Sequence, residues 1–238
     1  MKLKGKNALI TGSSRGIGQQ ITKGLAKLGC NIIVHGRTLE NCSNTLELIK
    51  EYKVNTYAVY GDLSDENEVG QLIKQVQDLN INIDILYNNA AIMTPFQENI
   101  WAHSREDWIK SLKVNVMAMY TLCAAFIPPM IENGFGRVIN LTSGIKDTPE
   151  LIPYGVSKGA VDKLTADIAS KLHDTCVRIN TLDPGWLRTD MGGPNADYSV
   201  DAVLPGALIP ALIEDDGPNG DRFSAIDYLS YSDDIFEK

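Results

Sequence analysis

Short apolar segments alternate with longer amphipathic segments along most of the chain. The apolar segments predict seven strands, at Asn7–Thr11, Asn31–His35, Asn55–Tyr60, Ile83–Asn88, Phe135–Thr142, Cys176–Leu182 and Arg222–Ile226. The amphipathic segments predict helices at Gly16–Leu28, Leu39–Lys53, Ser64–Leu79 with Ser64 as its N-cap, Ser104–Ile131, Pro153–His173 and Val200–Ile213. Strands that alternate with helices form right-handed βαβ units, so the pattern predicts an α/β protein with a doubly wound parallel sheet, the Rossmann fold.

Size and charge restrict the function. The chain has 238 residues, 44% of them hydrophobic, which suits a single domain over residues 1–238. Its net charge of −8 argues against nucleic acid or an anionic membrane as a partner. No apolar run approaches about 20 residues and no apolar leader precedes the first strand, so we expect no membrane span, no signal peptide and a cytoplasmic location. The scattered histidines and cysteines predict no metal site.

A glycine-rich turn joins the first predicted strand to the first helix. Glycines stand at positions 12, 16 and 18 in the segment Thr11-Gly-Ser-Ser-Arg-Gly-Ile-Gly18. Glycines permit a tight turn and close approach of a ligand to the backbone, and the N-terminus of a helix offers free N–H groups to a phosphate. The pattern therefore predicts a dinucleotide pyrophosphate site. The alternative is a glycine-rich turn without a ligand.

The end of the second strand predicts which dinucleotide binds. Proteins selective for NAD place an acidic residue there to bind the ribose 2′-hydroxyl. This chain has no acidic residue before Glu40, whereas Arg37 and Arg15 are positioned to meet a 2′-phosphate. The sequence therefore favours NADP(H), unless both arginines are simply solvated surface residues.

Tyr154 and Lys158 are four residues apart on a predicted helix, so their side chains lie on one face. A tyrosine has an ordinary pKa of about 10, and a neighbouring ammonium is expected to lower that pKa toward neutrality. Ser143 ends a predicted buried strand upstream. The three side chains together predict a site that transfers protons. Taken alone, the spacing would also suit any helical Tyr–Lys pair.

Three further polar positions follow strands or interrupt a helix. Asp62 and Leu63 follow the third strand, where they could contact an adenine, and the segment 88–91 (Asn-Asn-Ala-Ala) follows the fourth strand. Ligands of such sheets bind at the carboxyl ends of the strands, although an asparagine pair also forms ordinary turns. Asn115 is a polar residue in an apolar helix, which indicates a hydrogen-bonding role.

Together these motifs resemble the short-chain dehydrogenase/reductase family, and a carbonyl-reductase-like member in particular. The matches run from about residue 5 to 190 and include TGSSRGIG, NNAA, YGVSK and the segment Pro184-Gly-Trp-Leu-Arg-Thr189. The resemblance implies a nicotinamide cofactor and reversible reduction of a ketone or aldehyde to an alcohol. It implies catalytic roles for Ser143, Tyr154, Lys158 and Asn115. It implies cofactor contacts by Gly12, Ser14, Arg15, Gly16, Ile17, Gly18, Arg37, Asp62, Leu63, Asn89, Ala90, Ala91, Tyr154, Lys158, Pro184, Gly185, Leu187 and Thr189.

Two departures from the family pattern keep alternatives open. Only eleven residues separate Ser143 from Tyr154, a slightly shorter loop than is usual, so Thr142 is an alternative for the serine role. The tail after Gly192 differs from that of 3-oxoacyl carrier-protein reductases. Reduction of a 3-oxoacyl thioester remains the alternative reaction, and a non-enzymatic NADPH-binding regulator is the alternative from another class.

We also expect a small-molecule substrate and a substrate lid at about 191–215. We expect a homodimer or homotetramer, because both long helices are apolar around much of their circumference.

Overall fold

The computed structural model describes residues 3–231 and contains one seven-stranded sheet. All six strand pairs are parallel, and the strand order is β3-β2-β1-β4-β5-β6-β7. The strands are β1 Asn7–Ile10, β2 Asn31–Gly36, β3 Thr56–Tyr60, β4 Ile85–Asn88, β5 Gly136–Leu141, β6 Val177–Asp183 and β7 Arg222–Ser224. The predicted doubly wound parallel sheet is therefore confirmed.

Helices cover both faces of the sheet. They are α1 Gly16–Lys27, α2 Leu39–Ile49, α3 Glu66–Asp78, α4 Arg105–Leu112, α5 Met119–Glu132, α6 Ile152–Ala169 and α7 Ile209–Leu212. Buried residues of α1, α2 and α7 pack on one face of the sheet, and those of α3, α5 and α6 pack on the other. Because both faces are covered, the central strands are buried along their length, as in β4 and β5, where every residue is buried.

The chain reverses its winding direction between β1 and β4. Strands β2 and β3 extend the sheet on one side of β1, and β4 to β7 extend it on the other. Ligands of doubly wound sheets bind at such a switch point, outside the carboxyl ends of the strands. The loops that follow β1 and β4 therefore meet at the edge where the predicted site residues lie.

The predicted long helix Ser104–Ile131 is interrupted. A π-helical segment, Lys113–Ala118, separates α4 from α5, and Pro128 and Pro129 lie inside α5 rather than ending it. The run from Arg105 to Glu132 is long and apolar enough to cross a membrane by length and composition, but half of its most apolar window is buried inside the fold. That burial is typical of a core helix.

Several element boundaries differ from the prediction. The N-cap of α3 is Asp65, whose carboxylate accepts hydrogen bonds from the Asn67 and Glu68 amides, whereas Ser64 donates to Asp62. Helix α6 ends at Ala169, four residues early. The region 200–213 forms two 3₁₀ turns before the short α7, because Pro205 and Gly206 interrupt it.

Candidate active site

The loop after β1 lies in close contact with the loop after β4. A Cβ atom on Gly12 would stand 2.9 Å from the Cα atom of Ala90, and one on Gly18 would stand 2.5 Å from the side-chain nitrogen of Asn89. Gly12 and Gly16 also adopt φ values of +63° and +58°, in the left-handed region that favours glycine. The backbone geometry therefore requires glycine at all three positions. We call the space above these glycines the glycine cradle, and side chains of larger residues would fill it.

The amide of Asn89 ties the two loops together. Its Nδ2 donates to the carbonyl oxygens of Thr11 at 2.8 Å and Gly12 at 3.1 Å. The Thr11 hydroxyl in turn accepts from the backbone N–H groups of Asn89 and Ala90, each at 3.0 Å. The Asn-Asn-Ala-Ala segment thus holds the glycine loop in place from the neighbouring strand.

The N-terminus of α1 remains open to a ligand. Arg15 is its N-cap residue, adopts an extended backbone and makes no side-chain cap, and the first turn carries no acidic residue. Free N–H groups at the start of a twelve-residue helix suit a phosphate. The glycine cradle and this uncapped helix end fit the pyrophosphate of a dinucleotide.

His35 is a site residue that the sequence analysis missed. Its Nδ1 accepts the Gly12 N–H at 3.0 Å, and its Nε2 donates to the Gly61 carbonyl oxygen at 3.1 Å. Burial lowers the pKa of His35 to about 4, so the ring is neutral at pH 7 and the two partners fix its tautomer. His35 therefore links the ends of β1, β2 and β3. A histidine at the end of an otherwise apolar strand was the available signal.

The residues predicted to select the dinucleotide lie at the ends of β2 and β3. Arg37 follows β2. Burial alone would raise the pKa of Asp62, but hydrogen bonds from Ser64 and the charge of Arg37 outweigh it, so this pKa is lowered. Arg15 forms an exposed ion pair with Asp190 at 3.1 Å. Arg37 is therefore the arginine next to Asp62, whereas Arg15 already has an anionic partner.

Ser143, rather than Thr142, meets Tyr154. The Ser143 hydroxyl lies close enough to the phenol of Tyr154 to lower its pKa. Thr142 is buried and directs its hydroxyl toward the carbonyl oxygen of Lys158, at 3.5 Å. The short loop between residues 143 and 154 therefore does not shift the serine position by one residue.

The expected lowering of the Tyr154 pKa is wrong for this structure. Burial raises the pKa of Tyr154, Ser143 lowers it, and the charge of Asp183 raises it again. The pKa of Tyr154 therefore lies above its ordinary value. Lys158 lies close, with its ammonium 5.7 Å from the centre of the Tyr154 ring, but it donates to the Leu141 carbonyl oxygen at 2.8 Å. Desolvation of the phenolate dominates here.

Lys158 is fully enclosed. Burial lowers its pKa from 10.5 to about 8, and the charges of Asp162 and Asp183 oppose that shift. The difference corresponds to a cost of about 3 kcal/mol for keeping the ammonium charged inside the fold at pH 7. The side chain is therefore held in place at the expense of stability, as is common for functional groups.

We expect Lys158→Met to stabilise the protein while abolishing turnover. The variant removes a buried charge, although the Leu141 carbonyl loses its donor, so the net gain in the free energy of unfolding is about 2 kcal/mol, or about 5 °C in Tm at pH 7.

The stability of the wild type should also depend on pH. Unfolded lysine titrates near 10.5 and folded Lys158 near 8, so wild-type stability rises as the pH increases between these values. The advantage of the variant should shrink over that window. Exposed Lys163→Met is the control, and an unchanged Tm in both variants would contradict the argument.

Asn115 joins α6 to the loop after β4. It lies in the π-helical segment and is buried. Its Oδ1 accepts from the Ile92 N–H, and its Nδ2 donates to the Ile92 carbonyl oxygen and to the Ser157 hydroxyl, each at 2.9 Å. Ser157 donates onward to the carbonyl oxygen of Tyr154 at 2.7 Å. Both amide hydrogens of Asn115 are therefore used to position the helix that carries Tyr154.

The segment after β6 lies beside the glycine loop. A Cβ atom on Gly16 would stand 3.7 Å from the Cγ2 atom of Thr189. Gly185 adopts a φ of +79° and donates its N–H to Asp183, which turns the chain at Pro184. Leu187 is buried. The fold therefore brings the segment 184–189 to the edge that carries the glycine cradle.

Potential metal ligands are dispersed. Within residues 3–231, no group of three or more His, Cys, Asp or Glu side chains is arranged to hold a metal ion. The four cysteines are free thiols.

Comparison with known proteins assigns the family. The model of the family described as short chain dehydrogenase matches residues 6–198. A gluconate 5-dehydrogenase from Gluconobacter oxydans is 33% identical over 193 residues, which cover 79% of this chain and 74% of that protein. A 3-oxoacyl-acyl-carrier-protein reductase from Staphylococcus epidermidis is 30% identical over 231 residues, which cover 95% of this chain and 93% of that protein.

The solved structures agree with the sequence comparison. A metagenomic short-chain oxidoreductase, solved in complex with NADP, superposes with a TM-score of 0.81 at 25% identity, covering 93% of this chain and 98% of that chain. The family match spans most of the chain, and the structural match extends over nearly all of it. The chain belongs to the short chain dehydrogenase family of oxidoreductases.

Proposed function

We propose that this protein is an NADPH-dependent oxidoreductase that reversibly reduces a ketone or aldehyde to an alcohol, as a carbonyl-reductase-like member of its family. The observation that carries the proposal is the juxtaposition of Ser143, Tyr154 and Lys158, with the buried Lys158 ammonium 5.7 Å from the centre of the Tyr154 ring. This cluster lies at the carboxyl edge of the sheet, the edge at which the glycine cradle fits a dinucleotide.

The nicotinamide, when bound, supplies the hydride that reduces the carbonyl carbon. The Tyr154 hydroxyl donates a proton to the carbonyl oxygen as negative charge develops there. Ser143 hydrogen-bonds to the same oxygen and stabilises that charge. Lys158 favours loss of the proton from Tyr154 and holds the nicotinamide ribose, and Asn115 supports a proton path to solvent.

Contacts to the cofactor follow the same edge. The loop from Gly12 to Gly18 would hold the pyrophosphate, and Arg37, Asp62 and Leu63 would hold the adenosine. The second asparagine of the Asn-Asn-Ala-Ala segment and Thr189 would hold the nicotinamide. The proposed contacts are Gly12, Ser14, Arg15, Gly16, Ile17, Gly18, Arg37, Asp62, Leu63, Asn89, Ala90, Ala91, Tyr154, Lys158, Pro184, Gly185, Leu187 and Thr189.

We propose an apolar carbonyl compound as substrate. Exposed apolar side chains project from the loops at the carboxyl edge, including Phe96 and Met93 after β4 and Trp186 and Met191 after β6. The region 191–215 acts as a substrate lid within a single domain. We also propose a cytoplasmic location, which is supported by the four cysteines, all of them free thiols.

A panel of carbonyl compounds tests the proposal. Purified protein is mixed with NADPH and each compound, and loss of NADPH absorbance is followed. We expect turnover of at least one apolar ketone or aldehyde, with little turnover of 5-ketogluconate. Failure of every compound, with NADPH still bound in calorimetry, would favour a non-enzymatic NADPH-binding regulator.

A 3-oxoacyl thioester is the second candidate substrate. Its support is the relative from Staphylococcus epidermidis, which matches 95% of this chain. The acidic net charge fits poorly with docking of an acidic carrier protein. The panel therefore includes a 3-oxoacyl thioester both free and on its carrier protein. A higher kcat/KM for the carrier-bound form than for every simple carbonyl would replace our proposal with this one.

We expect a homodimer or homotetramer in solution. Leu122 and Phe126 pack against the sheet, but Met117 and Tyr120 on the same helical run, and Val156 on α6, remain exposed. A second copy of the chain would cover them.

Light scattering coupled to size exclusion should give a mass of about two or four times the chain mass of 26.1 kDa. We expect Tyr120→Glu to lower that mass. Leu39→Glu on α2, at the opposite face of the sheet, is the control that should not change it. A wild-type mass near 26 kDa would rule the oligomer out.

A further inference from the structure

We infer that Arg222 is a positioning residue that sets the proton affinity of the Tyr154–Lys158 pair, acting through Asp162 and Asp183. The inference rests on the proposed function and extends it to the far end of the chain. Arg222 lies on β7, more than sixty residues after Lys158.

Arg222 bridges two carboxylates. Its guanidinium is 3.0 Å from Asp183 Oδ2 and 3.5 Å from Asp162 Oδ2. Asp183 ends β6, and Asp162 lies on α6, one turn after Lys158. The cluster thus joins the helix that carries Tyr154 and Lys158 to two neighbouring strands.

The cluster also contacts the loop that carries Ser143. A Cβ atom on Gly144 would stand 2.7 Å from Asp183 Oδ2 and 3.6 Å from the Arg222 guanidinium. Only glycine allows the chain to pass so close to this ion pair. The Asp183–Arg222 pair therefore lies directly behind the serine that meets Tyr154.

Both carboxylates act electrostatically on the proposed catalytic pair. The charges of Asp162 and Asp183 raise the pKa of Lys158, and the charge of Asp183 also raises the pKa of Tyr154. Among the described residues, the charged groups that act on the pair are Asp162 on α6 and Asp183 on β6. Arg222 on β7 adjoins both carboxylates. Ser143 and Asn115, which adjoin the site from other elements, are uncharged.

Within the described part of the chain, the Asp162 carboxylate has a partner at only one of its two oxygen atoms. Its Oδ1 atom is buried and has no hydrogen-bond partner among the described residues, and Arg222 is the cation that pairs with its Oδ2 atom. Removing Arg222 would leave the charges of two neighbouring carboxylates less compensated. The Asp183 charge favours both the neutral phenol and the ammonium, so both proton affinities would rise. Removing the Asp183 charge would have the opposite effect.

The pH dependence of kcat/KM for alcohol oxidation tests the inference, because this direction requires Tyr154 to accept a proton. We expect Arg222→Gln to move the rising limb to higher pH by about half a unit to one unit, a shift reduced by added salt. Asp183→Asn should move the limb to lower pH, because the Asp183 charge raises the pKa of Tyr154, and Arg222→Lys should restore the wild-type profile.

Lys163→Gln is the matched control. Like Arg222→Gln, it removes one positive charge, in this case from α6. Lys163, however, is exposed and pairs with Asp167. Its profile should equal that of wild type. Equal profiles for Arg222→Gln, Asp183→Asn and Lys163→Gln in folded variants would overturn the inference.

A titration without substrate separates this inference from the proposed function. The tyrosinate absorbance of each variant is compared with that of the same variant carrying Tyr154→Phe, which isolates the Tyr154 ionisation. The same directions of shift are expected even if no carbonyl compound is turned over. An unchanged midpoint would reject the role of Arg222, whereas a shifted midpoint without turnover would reject only the reaction. Thermal unfolding of each variant identifies any that fail to fold, and the opposite shift in Asp183→Asn then decides.

Discussion

Tyr154→Phe is expected to lower kcat by about 10²–10⁴-fold while leaving the Kd for NADPH close to that of wild type. The phenol hydroxyl is the only group removed, and in the proposed reaction it transfers the proton to the carbonyl oxygen. The ring itself stays in place beside Lys158, so packing is preserved. Steady-state kinetics at saturating NADPH and calorimetric cofactor binding measure the two quantities separately.

Two controls sharpen this expectation. Tyr120→Phe removes an exposed hydroxyl from α5 and should leave kcat unchanged. Ser143→Ala should be severe, and Thr142→Ala mild, because Ser143 rather than Thr142 lies close to the phenol. Turnover of Tyr154→Phe within a factor of about two of wild type would remove the residue from the mechanism.

Arg37→Ala is expected to raise the Kd for NADPH by about 10–100-fold and to leave the Kd for NADH nearly unchanged. Charge-assisted hydrogen bonds from a guanidinium to a phosphate contribute about 1.5–3 kcal/mol. NADH lacks the 2′-phosphate, so it has no such bonds to lose. Comparing both cofactors in wild type and variant isolates the contribution of the phosphate.

Arg15 provides an internal comparison for this prediction. Because Arg15 already pairs with Asp190, Arg15→Ala should weaken NADPH binding less than Arg37→Ala does. Arg105→Ala, at the exposed start of α4, should have no effect on either cofactor. A wild-type preference for NADH, or an Arg37→Ala variant with unchanged NADPH affinity, would contradict the assignment of NADP(H).

Much of the fold was predictable from local pattern. The order of strands and helices follows from the period of the apolar residues, and the parallel sheet follows from the alternation of these elements. The glycines of the first loop and the spacing of Tyr154 and Lys158 are also local features. Each depends on residues within about one turn of structure, so the sequence could reveal them.

Boundaries were less predictable, because they depend on competing local interactions. Ser64 and Asp65 are both good caps, and Asp65 caps α3 because Ser64 is engaged with Asp62. The π-helical segment has no simple sequence signal, although it contains Asn115, the polar residue that the sequence did single out.

The electrostatics of the site were decided only by the tertiary structure. The spacing of Tyr154 and Lys158 correctly placed them side by side, but burial raises the Tyr154 pKa where the neighbouring ammonium alone would lower it. His35 and Arg222 reach the site region from separate strands, and neither stands in a motif. The sequence by itself determined which groups are present and their local spacing. Burial and distant charges depend on how remote segments pack, so only the folded chain determines how strongly those groups hold their protons.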